Sequence, residues 1–284
     1  MTPSPASRTR QAQNADHDAL AYFLGHTWRC HHHLDWRASE SWVHSGYCYL
    51  YERKATLTAA LAIPLLPVEP AWVRLFACAE EISPKQAWKL LFPPLRETLL
   101  AAGKPPLCAV PVRPWSIEFF TSAGFRHHQD IVLFELNQPI PPDPTAREVS
   151  ITPMTVEDVQ TVAALDQASF EPIWRNNEDS VLQALLFSSY ATVARLGKDT
   201  VGFQISTLSE TSAHLARLAV TPDRQNSGIG AALVRDLSAH FFNQGKSLLT
   251  VNTQSDNLKS QALYERLGFE RTGSSYPVFI MEDY

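Results

Sequence analysis

Four prolines in six residues, Pro139, Pro141, Pro142 and Pro144, constrain this chain more than any other feature. Proline fixes φ and removes a backbone donor, so no helix continues through the stretch and any strand ladder is interrupted there. Residues 139–147 read as a semi-rigid linker. The linker falls near the middle of 284 residues, a length that suits two domains, each large enough to bury its own core. The expected layout is a disordered polar tail over 1–15, a first domain over 16–138, the linker, and a second domain over 148–284. An apolar fraction of 45% with 19% charged residues fits two globular cores.

Beyond the linker the periodicity is readable. Residues 155–169 have the acidic start and apolar spacing of a helix, and 179–187 suggest another. Residues 191–196, 200–208 and 214–220 read as strands, the first two joined by Gly197-Lys198-Asp199. A helix over 230–242, a strand over 247–252, a helix over 260–267 and a last strand over 278–281 complete an α/β (α+β) domain, a mixed sheet with helices on both faces.

The first half repeats this order. Arg74-Leu75 and Arg217-Leu218 each begin a strand 143 positions apart, and Gly124-Phe125 and Gly268-Phe269 each follow a helix 144 positions apart. Between these markers lie a helix (84–102 against 228–243), a Gly-Lys pair (103–104 against 245–246) and an apolar strand (107–110 against 247–251). Such register points to an internal duplication.

The chemistry concentrates in Gln225-Asn226-Ser227-Gly228-Ile229-Gly230-Ala231, which follows the strand Leu218-Ala219-Val220 and opens a helix. Free backbone N–H groups converge at a helix start and the helix dipole adds to them, so the turn suits an anion. Glycine at 228 and 230 lets a pyrophosphate approach the main chain. An ordinary turn is the alternative for a GxG taken alone. A third glycine and the acidic residue of a dinucleotide-binding βαβ unit are missing.

The order Arg217-Leu218-Ala219-Val220-Thr221-Pro222, then Gln225-x-x-Gly228-x-Gly230, then Asn257-x-x-Ser260-x-x-Leu263-Tyr264-x-x-Leu267-Gly268-Phe269 resembles the GCN5-related N-acetyltransferases over residues 148–284. The resemblance implies two tandem GNAT-type acyl-CoA N-acyltransferase domains, each a mixed, splayed sheet flanked by helices. It implies acetyl-CoA (coenzyme A) as the acyl donor, with Leu218 to Val220 along the pantetheine arm, Gln225 to Ala231 on the pyrophosphate, and Asn257 and Ser260 near the cofactor. Tyr264 resembles the family's tyrosine that protonates the departing thiolate. A phenol with pKa near about 10 can donate to a thiolate whose parent pKa is about 8.5; a core aromatic is the alternative.

The base is sought at His214, where the arylalkylamine branch has a histidine fourteen residues before the first turn glycine. In a regular strand His214, Ala216, Leu218 and Val220 share one face, which would aim His214 as the pantetheine-facing residues aim. Histidine is a suitable base near neutral pH, although a strand histidine is often only structural. The ribosomal-protein Nα-acetyltransferase branch has a glutamate five residues before its motif asparagine; in this chain that position is Asn252, although Ser275-Tyr276-Pro277 is similar to the same branch. Glu171, Trp174 and Tyr276 are candidate acceptor-binding residues, with an exposed loop carboxylate as the plain alternative for Glu171.

The first copy is expected to be degenerate. Phe120 stands where Tyr264 stands, Arg113 where Asn257 stands, and Glu80-Glu81 where a pyrophosphate would sit, which opposes an anion. All four cysteines lie within the first 108 residues without a CxxC, and Cys30-His31-His32-His33 are neighbours that rarely converge on one ion, so no metal is expected. The second domain has no cysteine nucleophile.

A formal charge of -5 gives no footing for nucleic acid. Pro64 and Pro67 interrupt the longest apolar run, and the N-terminus lacks the apolar core of a secretory signal, so no membrane contact and a cytoplasmic location are expected. The expected function is an N-acetyltransferase acting on a primary amine of a small molecule or of a protein or peptide, by direct transfer. A catalytically weak acyl-CoA-binding regulatory protein is the alternative. Oligomeric state stays open.

Overall fold

The computed structural model describes residues 7–33, 36–142 and 149–284. Its contacts form two compact units, Met1–Gln129 with Tyr276–Tyr284 and Asp130–Ser275.

The first unit contains β1 (Ser7–Gln11), α1 (His17–His26), β2 (Cys30–His32), β3 (Cys48–Arg53), β4 (Thr56–Ala62), β5 (Ala71–Trp72), β6 (Leu75–Cys78), α2 (Pro84–Ala101), β7 (Leu107–Ala109) and α3 (Pro114–Ser122). Five strands form an antiparallel sheet in the order β1-β3-β4-β6-β2. Helix α2 starts where the Ser83 side chain accepts from the Gln86 amide and Pro84 fixes the first turn. Its apolar face meets an aromatic core of Phe76, Trp88, Phe92, Phe119 and Phe120.

The polar tail expected over 1–15 is corrected from Ser7 onward. Ser7–Gln11 is a strand paired antiparallel with β3, and its support is ionic rather than apolar. Arg8 and Arg10 both reach Glu52, and Arg10 also binds Asp16 at 2.7 Å. Cross-strand pairs of this sort stabilise an edge without any apolar alternation in the sequence. Residues 1–6 lie outside the described residues.

The second unit contains β9 (Ser150–Pro153), α4 (Val159–Ser169), α5 (Glu178–Phe187), β10 (Tyr190–Leu196), β11 (Asp199–Leu208), β12 (Ser212–Val220), α6 (Ile229–Phe242), β13 (Leu248–Gln254), α7 (Leu258–Arg266) and the start of β14 (Glu270–Met281). Each element expected from periodicity after the linker is present within a few residues; the last strand is longer and begins at Glu270. The recurring order strand, helix, strand, helix, strand is observed in both halves of the sequence: β6-α2-β7-α3-β8 and β12-α6-β13-α7-β14, where β8 is Arg126–Leu136.

The units do not follow the limits 16–138 and 148–284. Ile131 to Leu136 of β8 pairs antiparallel with Leu249 to Gln254 of β13, so the strand preceding the prolines completes the sheet of the second unit. Phe279 to Met281 of β14 pairs with β7 and completes the first unit. A proline run interrupts a ladder along the chain but does not say which sheet the strand before it joins. Residues 139–142 are neither helix nor strand, Ile140 is buried in the second unit's core, and its amide donates to the Ser238 hydroxyl at 3.0 Å. Residues 143–147 of the expected linker, and Glu148, lie outside the described residues. Among those described, no helix is long and apolar enough to cross a membrane.

The order in the second unit is β8-β13-β12-β11-β10-β9, with β12 and β13 as its parallel pair. In β12 a bulge interrupts the alternation: Ser206 opposes Leu215 while Ile205 opposes Arg217, leaving Ala216 as the extra residue. Partners across a ladder share a face, so Ala213, Leu215, Leu218 and Val220 lie on the α6 side, where they join its apolar clusters. His214, Arg217 and Ala219 lie on the opposite side, the side on which Arg217 meets Asp166 of α4. The single face expected for His214, Leu218 and Val220 is thereby corrected.

Among the described residues, two of the three histidines whose pKa burial lowers, His31 and His214, make an acid-sensitivity prediction, and His33 acts in the same direction. His31 donates from Nε2 to the Val73 carbonyl at 3.1 Å, and burial pushes its pKa down to about 4; burial also lowers that of His214. Both are neutral when folded and take up protons at higher pH when unfolded, so the unfolded chain binds more protons below about pH 6.5. Stability is present above that value and is lost as the pH falls through the folded pKa. Thermal melts should show Tm declining between about pH 6.5 and 4, before Asp16 and Glu52, held low by arginines, and Asp158, held low by the Thr155 amide and Arg195, take up protons. A His31→Leu chain should show a shallower decline over this window.

Candidate active site

The site begins where two parallel strands part. β12 and β13 pair over Ser212 to Leu215 with Leu248 to Val251, and the pairing stops there. Past this point Leu218, Ala219 and Val220 on one strand and Gln254 on the other line a cavity of about 950 Å³ within the second unit. Unpaired strand backbone keeps its N–H and C=O groups available to an extended ligand.

The glycine turn closes one end of the cavity. Gly228 caps α6 with φ of +90°, in the left-handed region, and Asn226 precedes it at +59°. A Cβ at Gly228 would meet nothing within 4 Å, so its demand is conformational. A Cβ at Gly230 would sit 3.4 Å from Leu263 Cδ2 and 3.7 Å from Val220 Cγ2, so this glycine keeps the turn packed on strand and helix. Gln225, Asn226, Gly228, Ile229, Gly230 and Ala231 all line the cavity. Ser227 does not; its hydroxyl donates to the Arg224 carbonyl.

Asn257 and Ser260 line the same space. The Asn257 side chain caps α7 by accepting from the Ser260 amide at 3.2 Å, and its amide donates to Gln254 Oε1 at 3.4 Å. Four cations absent from the sequence prediction, Arg224, Arg235, Lys259 and Arg266, also line the cavity, against the acidic Glu171 and Asp256. This excess of positive charge beside a helix N-terminus fits a polyanion such as a nucleotide pyrophosphate. The signal was available in the sequence, since Arg224 directly precedes the first motif and Lys259 lies within the second.

At the other end Ser169, Phe170, Glu171 and Trp174 form the wall. Their loop is pinned by an ion pair that sequence reasoning missed. Arg217 donates to both carboxylate oxygens of fully buried Asp166, at 2.7 and 2.8 Å, and to the Trp174 carbonyl at 2.5 Å. Its guanidinium also stacks 3.7 Å from the Phe170 ring centroid.

His214 and Tyr264 are not among the residues that line the cavity. His214 sits on the last paired stretch before the strands part, with Nδ1 2.8 Å from Thr250 Oγ1 and Nε2 3.5 Å from Asn252 Nδ2. Burial lowers its pKa, so the imidazole is neutral at pH 7. Tyr264 is the seventh residue of α7 and packs among Phe134 and Phe269; burial raises its pKa and keeps the phenol protonated. Tyr276 belongs to the other compact unit. Among the described residues no group of three or more His, Cys, Asp or Glu could hold a metal.

A sheet split at one parallel pair, a glycine turn at the helix start and a cavity between them fit the acyl-CoA N-acyltransferase fold in the second unit, and solved structures with the same fold along the chain make it two tandem domains. Residues 159–269 match the acetyltransferase (GNAT) family, so this stretch of the chain is a GNAT family domain. Human N-acetyltransferase 8B is 36% identical over 70 residues, which are 25% of this chain and 31% of that protein. The [ribosomal protein bS18]-alanine N-acetyltransferase of Escherichia coli K12 is 36% identical over 67 residues, 24% of this chain and 45% of its own length. The matched stretch thus spans less than half of these curated relatives.

Solved structures agree with the fold along the whole chain. A GCN5-related N-acetyltransferase of Sphaerobacter thermophilus superposes with a TM-score of 0.61 at 13% identity, covering 99% of this chain and 97% of that one. A tandem GNAT protein from the clavulanic acid biosynthesis pathway gives 0.61 at 14%, covering 97% and 98%.

Proposed function

We propose that this protein transfers the acetyl group of acetyl-CoA to a primary amine of a small molecule or of a protein or peptide, at one working site in the second unit. The observation that carries this reading is the cavity itself, which joins the parted strands, the Gly228–Gly230 turn and Asn257 in one space. The matched relatives, named for N-acetyl transfer, support the donor chemistry.

Acetyl-CoA would supply an activated thioester, and its pyrophosphate fits the amides of the turn and the cationic rim. Leu218 to Val220 would hold the pantetheine arm through their backbone. The amine nitrogen forms the new bond to the acetyl carbon while the carbon–sulfur bond breaks. Although neither lines the cavity, neutral His214 at the parting of the strands would take the amine proton, and the Tyr264 hydroxyl would return one to the thiolate. Glu171 and Trp174 stand on the acceptor wall, where a carboxylate beside an aromatic face suits a cation.

The first unit has the marks of a copy without this site. The N-terminus of α2 is already capped by Ser83, with Glu80 and Glu81 just before it, and Phe120 is the seventh residue of α3 as Tyr264 is of α7.

Calorimetric titration with acetyl-CoA tests the proposal. One site per chain is expected, weakened at least about 100-fold, near 2.7 kcal/mol, in Gly230→Asp, whose carboxylate would meet the pyrophosphate. Two sites would restore the first unit as a binder, and none would sink the reading. Tyr264→Phe should keep the binding and slow CoA release by at least about tenfold; an unchanged rate would favour the acyl-CoA-binding regulator.

A further inference from the structure

We propose that Thr250 is a positioning residue that holds the imidazole of His214 in its Nδ1-protonated tautomer, leaving Nε2 as the unprotonated ring nitrogen where β12 and β13 part. The inference rests on the reading of His214 as the base. His214 and Thr250 are paired in the parallel ladder, and the pairing ends one residue further, at Leu215 and Val251. Neighbours across a ladder share a face, so Asn252, two residues beyond Thr250, joins the same side at the point of divergence.

The surrounding hydrogen bonds point to one placement of the proton. The Thr250 hydroxyl lies 3.2 Å from the Ala213 carbonyl and 2.8 Å from His214 Nδ1. A carbonyl can only accept, and a hydroxyl has one proton to give. Donated to Ala213, that proton leaves a hydroxyl lone pair facing Nδ1, which must then carry the hydrogen. On the far side of the ring the Asn252 amide nitrogen stands 3.5 Å from Nε2. An N–H there faces a lone pair on Nε2 and would oppose a second N–H. Both neighbours therefore favour the same tautomer, and it is the reverse of the one a free neutral histidine prefers in water.

With Asn at 252 no carboxylate competes for the proton of Nε2 or stabilises an imidazolium against it. The device would present a neutral acceptor atom already oriented before any substrate arrives.

Two-bond proton–nitrogen spectra of the full-length, nitrogen-15-labelled protein at pH 8 read the tautomer directly, with His214 assigned by its loss in His214→Gln. Expected are a pyrrole-like Nδ1 and a pyridine-like Nε2 in the parent and in Thr250→Ser, and the reverse in Thr250→Val. Turnover should fall about 10- to 100-fold in Thr250→Val at an unchanged KM for acetyl-CoA, with Thr250→Ser within about threefold of the parent. A protonated Nε2 in the parent overturns the tautomer assignment whatever the activity. A parent-like rate in Thr250→Val overturns its role in turnover. Should His214→Gln turn over normally, the base reading falls instead, and the spectra still decide the tautomer.

Discussion

Expressed alone, residues 149–284 are expected neither to melt cooperatively nor to bind acetyl-CoA, although they contain every motif of the site. The missing part is β8. Val132, Phe134, Leu136 and Ile140 are buried in the core that surrounds Tyr264, Leu237 and Phe241. Burial of each such side chain contributes about 1.5–3 kcal/mol, so the four together contribute roughly 6–12 kcal/mol. That is comparable to the entire stability of a typical domain, about 5–15 kcal/mol. Removing β8 also leaves β13 as a bare edge over Leu249 to Gln254, next to the parting of the strands that forms the cavity. Extending the fragment upstream to residue 126 should restore both the melt and the binding. A cooperative transition in the 149–284 fragment, followed by circular dichroism, would show that β8 is dispensable and that its burial does not hold the unit together.

The same strand shows where the sequence stopped being informative. The apolar run 131–136 is plainly a strand, and the prolines after it plainly end a ladder, but pairing is a tertiary fact. Neither pattern says that Phe134 belongs opposite Val251. Local signals carried the helices and strands after the linker, because period 3.6 and period 2 are written in the residues themselves. They also carried the glycine turn, since a strand, a left-handed glycine and a helix start are consecutive. What they could not carry is whatever a neighbour imposes. β1 has no apolar alternation and is held by Arg8 and Arg10 on Glu52, 42 to 44 residues away. The face of His214 depends on a bulge created by the register with β11, and a strict period of two places it wrongly.

Replacing Arg217 by Met should destabilise the second unit by about 3–5 kcal/mol, because it strands a buried carboxylate rather than merely removing a favourable pair. Asp166 is fully buried, and Arg217 covers both of its oxygens; the Asn176 amide, at 2.9 Å from Oδ1, is too little to replace a charge. The second effect is on the acceptor wall. Without the guanidinium the Trp174 carbonyl and the Phe170 ring lose their common anchor, and the loop keeps only weaker ties such as Ser169 Oγ to the Val220 carbonyl at 3.2 Å. Under the proposed function, KM for the amine should rise several-fold while acetyl-CoA affinity, set at the other end of the cavity, stays within about twofold. The double variant Asp166→Leu, Arg217→Met separates the two roles. With no charge left buried, denaturant melts should recover most of the lost stability. The raised KM should persist, since a methionine can neither donate to Trp174 nor stack a charge on Phe170. Recovery of both would mean that the ion pair contributes only to folding; recovery of neither would mean that the loop's position, and not the buried charge, sets the stability of this end of the unit.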